Sequence, residues 1–210
     1  YHWALTRSEM AGQPTWRAAQ AATRGSWARY VREAGTLAGW TYAIQTLRNA
    51  ITASTFLAST VLSLFTLTMG YLSSVMNRSF EWLVLLRFSA TGFLLLASSY
   101  SFLQSARYMT HAGFMFPVAR EPDKGDELPA PVSVDALGPW KPKAFYVLRP
   151  RAVEAVMAKS EMCQWAGLRF LYLAVTCVGW IIGGELAFCA ATLLLRPFLA
   201  GIDRPPALAA

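Results

Sequence analysis

Three arginines, Arg48, Arg107 and Arg169, each stand at the edge of a long uncharged run and carry the clearest capacity for chemistry in this sequence. A guanidinium presents a planar fork of donors that grips a phosphate or carboxylate through two parallel hydrogen bonds. Gln45, Asn49, Gln104, His111 and Gln164 fall within a turn or two of these arginines. Arg48 enters the first apolar run, Arg107 leaves the second and Arg169 enters the third, so all three are expected on one membrane face, as a ring suited to an anionic lipid headgroup or another anion. The plainer alternative is that each snorkels to the headgroups on its own.

Other reactive side chains offer less. His111 follows Arg107 by one helical turn and has the chemistry to ligate a metal or the magnesium of a chlorophyll. A lone boundary histidine more commonly makes interfacial hydrogen bonds, and His2 is read the same way. Glu185 is the sole acidic residue inside an apolar run, and a proton relay needs a second carboxylate to receive the proton. Cys163, Cys177 and Cys189 lack C-x-x-C spacing, which predicts neither a disulfide nor a metal site. No G-x-S-x-G, H-E-x-x-H, Walker or dinucleotide fingerprint occurs, so the expectation is a protein without enzymatic activity.

Positioning these groups falls to helices in lipid. The chain has 210 residues, 55% of them apolar and 15% charged, which is the balance of a membrane protein. A net charge of +7 then reads as topological bias rather than as a nucleic-acid surface. An uncharged stretch from Asn49 to Asn77 predicts the first span, exceeding the roughly 20 residues a hydrocarbon core requires. A second runs from about Trp82 to Ala106 with Arg87 near one end, and a tight turn makes the two antiparallel neighbours. The third lies between Arg169 and Arg196, interrupted by Glu185 after Gly183-Gly184.

Small residues recur every four positions as Ala50, Ser54 and Ala58 in the first span, Ala97, Ser101 and Ser105 in the second, and Gly179 and Gly183 in the third. Such stripes let backbones approach, which predicts a tight all-α bundle. Ser26 looks like the N-cap of an amphipathic helix starting near Trp27 and lying in the interface, with Arg29, Arg32 and Glu33 on one face, opposite Trp27, Val31 and Ala34. The chain accordingly divides into 1–48, the end of a preceding span plus that interfacial segment; 49–106, a transmembrane hairpin; 107–150, a solvated loop; and 151–210, a helix leading into the third span and tail. The loop carries seven prolines between Pro117 and Pro150. Residues 1–48 hold six lysines and arginines and 107–169 hold nine, which places both regions on the cytosol, stroma or matrix side, with Arg78, Arg196 and Arg204 opposite.

Four stretches resemble one family. They are Tyr1-His2-Trp3-Ala4-Leu5, the run Gln45-Thr46-Leu47-Arg48-Asn49-Ala50-Ile51 continuing through Ala53-Ser54-Thr55, the segment Gln104-Ser105-Ala106-Arg107, and Gly167-Leu168-Arg169-Phe170-Leu171-Tyr172 continuing to Trp180-Ile181-Ile182-Gly183. Together they resemble a plant-type family of polytopic membrane proteins known as domain of unknown function 599, the Gln-Thr-Leu-Arg-Asn run being the specific element. The resemblance implies four spans, the first ending at the Tyr-His motif and so placed before Tyr1. The proline-rich loop departs from it, and Gly184 stands where the family tends to have proline.

The resulting expectation is a non-catalytic accessory or scaffolding subunit of a larger photosynthetic or respiratory complex in a thylakoid or mitochondrial inner membrane. Its partners would be membrane lipids and other integral membrane subunits, with bound lipid, and chlorophyll or carotenoid in a photosynthetic setting, as the ligands. Lipid-compatible aromatics such as Trp27, Trp40, Trp82, Trp165 and Trp180 fit that role. A small-solute or anion transporter or channel with its site at the arginines is the alternative.

Overall fold

A computed structural model of the chain describes residues 15–34, 37–76, 81–115 and 151–202, with side chains described over 15–31, 39–75, 81–115 and 153–201. The loop 117–150, Tyr1, His2, Arg78, Arg204 and the side chains of Arg32, Glu33 and Ala34 lie outside those residues. Every described element is helical: α1 (Trp16–Ala34), α2 (Leu37–Met76), α3 (Trp82–Met115) and α4 (Arg151–Ile202). Three of these, over Gly39–Val75, Trp82–Met115 and Val153–Gly201, are long and apolar enough to cross a membrane. The expected all-α architecture is therefore present among the described residues.

The expected start of α1 is corrected. Thr15 is the N-cap, its Oγ1 accepting a hydrogen bond from the Ala18 amide at 3.2 Å, while Ser26 is an exposed mid-helix residue. The alanines at 18, 19, 21 and 22 are strong helix formers, so nothing delays the helix to Trp27. α1 also packs on another helix. Arg29 pairs with Glu154, Arg24 with Glu161, and the Arg17 guanidinium stacks on Trp165, so α1 runs antiparallel along the first half of α4.

α2 and α3 form the expected antiparallel hairpin. The Ser99 hydroxyl donates to the Ala58 carbonyl at 3.0 Å, and Tyr71 meets Phe88 with ring centroids 5.9 Å apart. α3 and α4 are closer still: Ser98 donates to the Gly167 carbonyl at 2.7 Å, and the hydroxyls of Ser105 and Ser160 lie 3.0 Å apart. Gly167 suits this close approach, because a Cβ on it would stand 3.0 Å from Phe102, a fully buried ring. One apolar cluster draws on all four helices, through Ala28, Val31, Ala43, Leu47, Met109, Ala112, Val153 and Met157. A second joins α2, α3 and α4 through Ala58, Val61, Leu95, Phe102 and Ala174.

α4 is not one straight span. Gly184 adopts φ 68° and ψ −157°, outside the helical region and accessible to glycine for want of a Cβ. Around it the chain reverses: Trp180 and Phe188 have ring centroids 5.0 Å apart, and Tyr172 and Phe198 have theirs 5.8 Å apart. A straight helix would separate Tyr172 from Phe198 by roughly 39 Å. Residues 185–202 thus return toward the end from which Arg169 enters. This overturns the expected placement of Arg196 opposite Arg169, because the interruption at Gly183-Gly184 is a hairpin and not a local break.

Candidate functional site

The helix register decides where the three arginines go. Arg48 and Arg107 are exposed, while Arg169 is buried, its guanidinium 4.8 Å from the Trp165 ring. The Ser105–Ser160 and Ser98–Gly167 contacts put Arg107 level with residues near 158 of α4, so Arg169 sits about ten residues, roughly 15 Å, further along the bundle. The three do not form one ring. Arg169 instead shares Trp165 with Arg17 of α1, each guanidinium 4.8 Å from the ring centre.

Arg48 and Arg107 stay near each other in height, because Gly113 of α3 packs on Leu47. Arg48 lines a groove of about 480 Å³ between α2 and α3, together with Ile44, Leu47, Ile51, Thr52, Met109, Thr110, Gly113 and Phe114. Arg107 does not line the groove but precedes two residues that do, Thr110 and Phe114, at i, i+3 and i+7 of α3. Gln45 and Asn49 are exposed beside Arg48, and Gln104 is half-buried one turn before Arg107. His111 is exposed on α3, and no group of three potential metal ligands exists among the described residues. Gln164 belongs to the α1 contact, its Oε1 accepting from Arg24 at 3.0 Å.

The small-residue stripes face inward. Ser54, Ala58, Ser101 and Ser105 are buried and Ala50 half-buried. Gly179 faces the returning half of α4, where a Cβ on it would lie 3.7 Å from the Ala191 Cβ, and one on Gly183 would clash with Ala187. Glu185, at the hairpin tip, accepts from Arg87 at 2.6 Å and from the Trp180 indole at 2.7 Å. Its charge is thereby balanced by a guanidinium that also stacks over Trp180.

Sequence reasoning missed the opposite face of α2. Thr52, Phe56, Ser59, Ser63, Thr66, Gly70 and Ser73 are all exposed and follow one another by alternating steps of four and three, the seam spacing of a coiled coil. The spacing was readable; that it points away from the bundle was not. Also missed were the pairs Arg24–Glu161 and Arg29–Glu154, whose partners are more than 120 residues apart in sequence.

The family model described as protein of unknown function, DUF599, matches residues 1–206. The chain belongs to the DUF599 family. Comparison of this DUF599 chain with curated proteins and with solved structures finds no match. The family match runs through every described helix, and thus through Arg48, Arg107, Arg169 and the α2 seam alike.

Proposed function

We propose that this DUF599 protein is a non-catalytic integral membrane protein serving as an accessory or scaffolding subunit, docked on a neighbouring membrane subunit through the outward face of α2. Arg87 and Arg107 stand twenty residues apart in α3, roughly 30 Å, which is the thickness of a hydrocarbon core. Tyr71 is level with Phe88 and Trp180 with Arg87, so the slab covers about residues 51–71 of α2 and 160–180 of α4. The α2 seam from Thr52 to Gly70 falls within it.

That seam is the observation that carries the reading. Outward residues of α3 are bulky and apolar, among them Phe93, Leu96 and Leu103, and those of α4 include Val175, Ile182, Leu193 and Leu194. On α2 one outward row is small and hydroxylated, with Phe56 its one large member, and exposed Leu62, Leu64, Leu67 and Tyr71 flank it. Thr52, Ser63 and Thr66 donate to their own helix's carbonyls at 2.9–3.1 Å, so the row tolerates an apolar environment. What the row gives up is dispersion contact with lipid; what it offers is close approach of a second helix at a shallow left-handed crossing. Placement in a thylakoid or mitochondrial inner membrane, with the basic face toward stroma, matrix or cytosol, draws support from the plant-type resemblance and the arginine distribution.

A photo-crosslinking side chain at Ser63 should capture another integral membrane protein in native membranes, while one at Leu96 captures lipid. A wild-type protein that migrates as a monomer in mild detergent and gives no Ser63-specific adduct would refute the subunit role and favour a transporter.

A further inference from the structure

The ion pairs of the bundle leave the groove beside the α2 seam as the place where positive charge is unmatched. The carboxylates of α4 on the basic half of the bundle are already engaged, Glu154 by Arg29 and Glu161 by Arg24. Arg48 and Arg107 have no ion-pair partner among the described residues, yet both are held at the edge of the same slab. Between them the groove is apolar, with Leu47, Ile51, Met109 and Phe114 on its walls. The hydroxyls of Thr52 and Thr110 donate to the carbonyls of Arg48 and Ala106. The guanidiniums are therefore the donors left to meet a ligand, and what they select is an anion.

We infer that the α2–α3 groove seats one anionic phospholipid, its phosphate held by Arg48 with Arg107 at the groove's membrane-side rim and an acyl chain against Ile51 and Met109. The volume of about 480 Å³ falls in the range of small-molecule pockets. A free inorganic anion would satisfy the arginines but leave the apolar walls unfilled, and a zwitterionic lipid would fill the walls while adding its own cation beside the guanidiniums. The inference rests on the membrane placement of α2 and α3 and not on the subunit role, since the seam and the groove share only Thr52.

The test is native mass spectrometry of the full chain in mild detergent, titrated with phosphatidylglycerol and phosphatidylcholine of matched acyl chains. Phosphatidylglycerol should bind roughly tenfold more tightly, and R48Q should reduce that preference to about twofold. G113L, which fills the groove floor beside Leu47, should weaken both lipids. Should G113L fail to fold, R48Q at its exposed position still decides the matter, with R107Q as a second reading of the preference. Equal binding of the two lipids by the wild type, an unchanged preference in R48Q, or full displacement of phosphatidylglycerol by millimolar inorganic phosphate overturns the proposal. Complex size on native gels, read in parallel for R48Q, reports on the subunit role separately.

Discussion

If α4 folds back at Gly184, residues 179 and 191 are neighbours, and cysteines placed there should cross-link. A Cβ on Gly179 would lie 3.7 Å from that of Ala191, near the mean separation in disulfides. In a straight helix the same two positions stand roughly 18 Å apart, far beyond the ~7 Å Cα limit for a bridge. The experiment is G179C/A191C in a background with Cys163, Cys177 and Cys189 changed to alanine. After mild oxidation and cleavage following Glu185, the two flanking peptides should remain joined until reductant is added. Closing a loop of this size is worth on the order of 3 kcal/mol, so the oxidised form should also resist thermal unfolding better than the reduced one. Peptides that separate without reductant would mean that α4 continues straight, and Arg196 would return to the face opposite Arg169.

Three further outcomes follow from the packing. G167A should lower stability by about 1 kcal/mol in thermal unfolding, the crowding of Phe102 costing about 1–3 and helix propensity returning up to about 1. G25A, with nothing within 4 Å of its new Cβ, should raise stability by up to about 1 kcal/mol in the same assay, so the two alanines differ in sign. E185Q should cost less than about 1 kcal/mol, because the Glu185 side chain is 61% exposed; a much larger drop in melting temperature would place the Arg87 pair in a drier setting than the hairpin tip provides.

Apolar run length made α2 and α3 legible, since lipid leaves the backbone no choice but a helix and a short turn forces antiparallel pairing. Even the interruption at Gly183-Gly184 was visible. Its direction was not, because a single positive φ decides between a kink and a reversal, and the chain is mainly apolar on both sides of Gly184. The arginine cluster failed for a related reason. Position at the end of an apolar run says little about height when helices overrun the bilayer, and Arg169 turned out to belong to α1 and Trp165. Charge pairs such as Arg24–Glu161 depend on tertiary docking and leave no periodic trace.

The ladder between α1 and α4 also orders events during synthesis. Arg29 meets Glu154 across 125 residues and Arg24 meets Gln164 across 140. At about 5–20 residues per second, roughly 6–28 s elapse between the ribosome releasing α1 and delivering its mates. Until then α1 lacks those mates, so its docking cannot precede synthesis of the first half of α4.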